Sequence, residues 1–219
     1  MGDSHGLPDA HDGRGRPAAA VFDALGAEYE RAFASSTAHR ASLDRLLADL
    51  APGSRVLDVG SGTGRPTAQT LAEAGHRVLG VDVSPVMTAL AARQVPGAEF
   101  RCADIRELPL PEGEFDAACV YFSLLQMSRG EQGELLERLT RSLRVGGVLV
   151  AATVPVDVAD ADAVFMGQPV RVSSFGAEEF TALLTRSGLI VEWERSALFT
   201  PEHPAGEPEP HLFLHGRRI

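Results

Sequence analysis

The chain has 219 residues, which at roughly 100 to 200 residues per domain predicts one domain with a full core. Hydrophobic residues make up 44% and charged residues 23%, and this excludes a disordered or fibrous chain. The balance of 20 basic against 30 acidic residues leaves a net charge of −10, so nucleic acid and anionic membrane are poor partners for the surface as a whole.

Residues 1–17, rich in Gly, Asp, His and Arg, offer no packed face and are predicted to be a disordered tail without the apolar run of a signal peptide. From Ala18 to Leu50 the apolar residues Val21, Leu25, Phe33, Leu43, Leu46, Leu47 and Leu50 recur every three or four positions. Two helices are predicted there, broken near Ser35 to Thr37 and ended by Ala51-Pro52-Gly53. Short apolar runs then alternate with helical stretches. The strands are Arg55 to Val59, Arg77 to Val81, Glu99 to Ala103, Asp116 to Tyr121 and Gly147 to Thr153; the helices are Pro66 to Ala74, Pro85 to Gln94 and Glu131 to Leu143. Strands apolar on both faces and separated by helices describe a parallel sheet covered on both sides. After Thr153 a Pro- and Asp-containing stretch, Pro155 to Ser173, precedes a helix from Gly176 to Ser187. A strand from Ile190 to Leu198, a turn-rich loop from Thr200 to Pro210 and a strand from His211 to Gly216 complete the chain. Only a loop joins the last two strands, so they are antiparallel neighbours.

All 20 basic residues are Arg, and neither Lys nor Asn occurs, which excludes Schiff-base chemistry and the Asn-dependent motifs. The two cysteines, Cys102 and Cys119, lie in apolar segments without CxxC spacing and read as reduced core residues, which suits a cytoplasmic protein. No apolar run approaches the ~18 to 20 residues that span a bilayer.

The most informative segment is Val56-Leu57-Asp58-Val59-Gly60-Ser61-Gly62-Thr63-Gly64, a buried strand that runs into three alternating glycines. Such a loop lets the backbone pass close under a ligand while the next helix turns its free N–H groups toward it. A plain strand-to-helix turn would also use it; a dinucleotide site would want glycine where Arg65 stands. Asp82 ends the second strand, where a carboxylate can accept both hydroxyls of a ribose. Asp104 ends the third, placed to accept from an adenine amine while Ile105 packs on the ring.

With these residues the chain resembles the class I S-adenosylmethionine-dependent methyltransferases, in particular the small-molecule enzymes with a short N-terminal helical cap. The resemblance covers about Phe22 to the C-terminus. Besides the glycine motif, Asp82 and Asp104-Ile105, it rests on Phe115 to Val120 for strand four and Leu143 to Leu149 for the turn into strand five. It implies a Rossmann-like α/β three-layer sandwich with a mostly parallel seven-stranded sheet in the order 3-2-1-4-5-7-6, strand seven antiparallel. One methyltransferase domain would then span 18–219: a cap (18–50), a cofactor-binding half (54–153) and an acceptor-side half (154–219). The implied cofactor is S-adenosyl-L-methionine, held by Asp58, Gly60, Ser61, Gly62, Gly64, Asp82, Val83, Met87, Asp104, Ile105, Tyr121 and Phe122.

The residues after strand four face the methionine part and the acceptor in that family, here Tyr121, Phe122, Ser123 and Gln126. Many relatives carry His where this chain has Gln126, and an amide is no general base. Phe22 to Tyr29 looks like the family's aromatic cap segment, and Tyr29 either covers the ligand or only packs a helix onto the sheet. The loops after strands four, five and six should wall the acceptor pocket, which assigns Tyr121, Gln126, Phe165, Met166 and His203 to the acceptor. His203, the only His in those loops, is the candidate base, against a solvated loop His; Tyr29 and Gln126 are the other catalytic candidates. Phe165 and Met166 serve equally as a plug for the core. His211 and His215, four apart on one strand face, lack a third ligand, so no metal is expected. The expected partner is a small-molecule acceptor, with no nucleic acid and no membrane. The alternatives are a peptide or protein terminus as acceptor, or a cofactor-binding protein that transfers no methyl group.

Overall fold

The computed structural model describes residues 18–219; the tail expected at 1–17 lies outside the described residues. Four parallel pairings build the first part of the sheet, among β1 (Arg55–Val59), β2 (Arg77–Asp82), β3 (Glu99–Cys102), β4 (Phe115–Tyr121) and β5 (Leu143–Thr153). β8 (Leu189–Phe199) and β9 (Glu209–Arg218) complete it in the order β3-β2-β1-β4-β5-β9-β8, with β9 antiparallel to both neighbours. This is the seven-stranded order expected, since β8 and β9 are the sixth and seventh strands of the sheet. Between them and β5 the chain inserts a separate two-stranded hairpin, β6 (Val158–Phe165) and β7 (Gln168–Ser174). The hairpin replaces the loop expected from Pro155 to Ser173. Its tight turn is Met166-Gly167, with φ of 48° and 78°, and positive φ at both central residues is what a two-residue hairpin turn demands.

Strand periodicity sorts the core into two faces. On one, Leu57, Val59, Ala118, Val120, Leu149 and Ala151 pack against α6 (Arg129–Ser142) and α7 (Ala177–Arg186) through Leu135, Leu136, Leu139, Phe180 and Leu184. On the other, Val56, Ala117, Cys119, Val148 and Val150 pack against α3 (Thr37–Asp49) and α4 (Thr67–Glu73) through Leu43, Leu46, Ala68 and Leu71. Cys119 is therefore a core residue. Cys102 is exposed, because β3 is the sheet's edge strand.

The helix starts follow their sequence signals. Ser128 and Glu131 form a reciprocal capping box at α6, and Ser84 accepts the Met87 N–H at the start of α5 (Pro85–Gln94). The segment 18–50 holds three helices rather than two, because Gly26 at φ 49° separates α1 (Ala18–Leu25) from α2 (Ala27–Phe33). These two helices and the hairpin share a third apolar cluster, with Val21, Leu25, Ala32, Met166 and Val170 at its centre. The cluster joins two segments distant in sequence into one cover at the carboxyl ends of the parallel strands.

Phe180 is fully buried between α7 and the sheet. Phe180→Ala should cost about 3 to 5 kcal/mol, through lost burial and a residual cavity. Urea unfolding checks it: the midpoint should fall with an unchanged slope.

Candidate active site

The sheet reverses its strand order between β1 and β4, and both strands end beneath the cover of α1, α2 and the hairpin. There the chain encloses a cavity of about 840 Å³ with a side lobe of about 200 Å³; Tyr29, Phe33, Gly60, Gly62, Tyr121 and Phe122 wall both. Switch points of this kind are where open α/β sheets bind ligands.

The loop after β1 is bent back over β2. Gly60 and Ser61 donate N–H bonds to the Val81 carbonyl at 2.8 and 3.1 Å. Gly60 has φ 69°, and a Cβ on it would stand 2.3 Å from the Cβ of Ser123. Ser123 belongs to the turn after β4 and donates to the Val59 carbonyl at 2.8 Å, so the two strand ends are clasped together. A Cβ on Gly62 meets nothing within 4 Å: it would project into open space in the cradle. Gly64 does different work from that expected. It lines neither cavity, and a Cβ on it would stand 3.0 to 3.3 Å from Val95, Phe100 and Ala91.

Asp82 is nine-tenths buried on the cavity wall, and its carboxylate accepts the N–H groups of Gly62 and Ser84, each at 2.9 Å. Burial raises its pKa, and those amide donors oppose the rise. Asp58 is more deeply buried in the side lobe, where its Oδ2 has no hydrogen-bond partner. Burial, then repulsion from Asp82, pushes the Asp58 carboxyl up to about 7. The hydroxyl of Ser61 is likewise buried without a partner. Val83, Met87 and Ile105 add apolar wall beyond Asp82. Asp104 reaches this wall, but Arg106 holds its carboxylate through Nε and Nη2 at 2.6 to 3.1 Å and lowers its pKa. The carboxylate expected to stand open for an amine is thus mostly engaged.

After β4 the backbone takes φ 59° at Phe122, a conformation that costs a non-glycine residue roughly 1 kcal/mol or more. A 2.9 Å bond from its N–H to Ala152 O and ring packing against His211 and Phe213 hold it there. Tyr121 lines the cavity while its hydroxyl turns away, 3.0 Å from Ser42 Oγ, which in turn lies 2.9 Å from His215 Nε2. Gln126 lines the cavity with its Oε1 buried and unpartnered. Tyr29 lies against Phe22, Phe33 and Phe165, and burial, followed by the charges of Glu209 and Asp82, raises its hydroxyl above the ordinary range. Phe165 lines the cavity. Met166 does not: it plugs the cluster between hairpin and helices.

His203 is off the cavity wall. Its Nδ1 accepts from the Ala205 N–H at 3.0 Å and its Nε2 lies 3.4 Å from Glu28. Three residues that sequence reasoning did not place on these walls line them: Glu209 the main cavity, and His211 and His39 the side lobe. His39 packs 4.1 Å from the Tyr121 ring, and burial, with the neighbouring His211, lowers its pKa to about 3. Among the described residues no group of three or more His, Cys, Asp or Glu is arranged for a metal ion.

A family model described as "Methyltransferase domain" matches residues 56–147, the segment that contains the glycine loop, Asp82 and the β4 strand end. Over this segment the chain is similar to methyltransferase domains. A demethylmenaquinone methyltransferase of Beutenbergia cavernae is 41% identical over 113 residues, covering 52% of this chain and 45% of that protein. One from Corynebacterium urealyticum is 34% identical over 143 residues, covering 63% and 59%. The chain thus spans about half the length of the curated relatives it matches. The structure of a Burkholderia thailandensis 1,6-didemethyltoxoflavin-N1-methyltransferase, with its acceptor and S-adenosylhomocysteine bound, matches with a TM-score of 0.69 at 25% identity. That match covers 91% of this chain and 86% of that one.

The cradle fits the cofactor of the methyltransferases it resembles: an open Gly62, a backbone-held carboxylate at Asp82 and an unpartnered carboxyl oxygen at Asp58. Because the folded chain keeps a proton on Asp58 from the unfolded value of 3.8 up to about 7, this group's contribution to stability falls as pH rises through that window. Asp58→Asn should therefore gain on the parent as pH rises, by of order a few kcal/mol from about pH 4 to pH 8. Urea unfolding at the two pH values measures it, and an equal difference at both would mean that Asp58 ionises normally.

Proposed function

We propose that the chain transfers a methyl group from S-adenosylmethionine to a small, largely apolar acceptor held under the cover formed by α1, α2 and the hairpin. One observation carries this reading: the cradle and an apolar chamber are parts of one cavity. Past Asp82 and Ile105 the same space continues between Phe22, Phe165, Val164, Val170 and Val172.

The cofactor, when bound, supplies a methyl group already activated on a sulfonium. The chain has then to exclude water and hold the acceptor in line, which by positioning alone is worth roughly 7 to 11 kcal/mol. Phe165, Phe33 and Tyr29 form an aromatic wall suited to a flat acceptor, while the Tyr29 hydroxyl and the Gln126 amide supply polar contacts on it. The relatives named for demethylmenaquinone and didemethyltoxoflavin act on small molecules, which supports the same class here. The cover over the chamber supports a small acceptor over a peptide or protein terminus, which would need an open cleft.

S-adenosylhomocysteine should raise the melting temperature, and Asp82→Ala should weaken its binding by about 1 to 3 kcal/mol. Phe165→Ala should leave that affinity nearly intact while lowering transfer of labelled methyl to metabolite fractions. No heat of binding by calorimetry at millimolar cofactor would remove the proposal.

A further inference from the structure

β9 brings to the chamber two groups that the cofactor does not need. Glu209 lines the main cavity at the first position of β9, and its Oε1 lies 2.9 Å from His211 Nε2. A carboxylate only accepts, so Nε2 carries the hydrogen and the imidazole fixes the carboxylate from behind. The ring has little freedom: it is 1% exposed, with Phe122 at 4.4 Å, Phe199 at 5.3 Å and Phe33 at 6.5 Å between ring centroids. Gln126 also lines the chamber, and its buried amide oxygen has no partner.

The charges around this wall come from several elements. Tyr29 faces it from α2 and Asp82 from β2, and His39 from α3 neighbours His211. The three arginines that line the cavity and its side lobe each face carboxylates, Arg106 those of Asp104 and Glu131, Arg171 that of Asp160 and Arg65 that of Glu30. Bare acceptor oxygens beside paired cations suit a neutral ligand that donates a hydrogen bond, and they disfavour an anionic one.

We propose that Glu209, positioned by His211, receives the proton of a neutral planar acceptor, from the O–H or N–H that becomes methylated. The O–H or N–H bond breaks and its proton passes to the Glu209 carboxylate. The freed electron pair forms the bond to the methyl carbon, and the pair of the broken S–C bond stays on sulfur. This rests on the methyl-transfer reading above.

The test is calorimetric binding of 2-naphthol, indole, 2-methoxynaphthalene and 2-naphthoate to the chain saturated with S-adenosylhomocysteine. 2-Naphthol or indole should bind about tenfold tighter than the methoxy ether and the carboxylate, the range expected for one buried hydrogen bond; which of the two wins tells O–H from N–H. Glu209→Met should abolish that preference while S-adenosylhomocysteine affinity stays within about twofold. His211→Phe keeps the aromatic packing and should weaken the preference; it decides the question if the Met variant does not fold. Tighter binding of 2-naphthoate, no probe bound, equal affinities, or a preference that survives these substitutions overturns the proposal. Failure to bind S-adenosylhomocysteine is a separate result, and it overturns the methyl-transfer reading instead.

Discussion

The site depends on keeping two carboxylates, Asp58 and Asp82, out of water at the ends of adjacent strands. Among the described residues no cationic side chain bonds to either; what holds Asp82 is backbone, the N–H groups of Gly62 and Ser84. Backbone donors can be brought that close only if the loop after β1 lies flat on β2. This is why Gly80 stands opposite Asp58 in the register: a Cβ there would fall 2.5 Å from the Phe100 ring and 2.9 Å from Ser61 Cβ. Gly60 meets the same demand on the other side, against Ser123. Burying acids with few counter-charges is costly, and it leaves polar atoms that a ligand bearing hydroxyl and amino groups can satisfy.

The cover follows a different logic. α1 and α2 are too short to bury their apolar faces alone, and the hairpin has only two strands. Packed together they form the third cluster, and Asp23 ties α1 to the start of α5 through Ser84 Oγ at 2.5 Å. Ser84 therefore serves three ends at once: it caps α5, donates its N–H to Asp82 and anchors the cover through Asp23. Cradle and cover meet at one residue, so order in one is coupled to order in the other.

The periodic features were legible in the sequence. Alternating short strands and helices specify a parallel sheet, the glycine loop with Asp82 and Asp104 marks the strand ends that line the cavity, and Ser84 and Ser128 mark helix starts; all are local patterns with a fixed spacing. The hairpin was not legible, because it carries exposed Asp160 and Asp162 and its turn residue Met166 is not a usual turn former. Local reading also left Asp104 open, since only the folded chain brings Arg106 back onto it while that arginine reaches Glu131 on α6.

The histidines show the division most clearly. Chain order puts His203 in the loop that leads to the acceptor and His211 on a core strand, so local logic favours the first. Tertiary structure turns His203 out toward Glu28 and sets His211 behind Glu209 at the chamber wall. By itself the sequence determined the layer order, the strand ends that line the cavity and the carboxylates among them, because periodicity and glycine sterics act within a few residues. Which side chains face the chamber was decided only by the fold, since it depends on where β9 enters between β5 and β8 and on how the hairpin closes over α1 and α2, which lie more than a hundred residues before it.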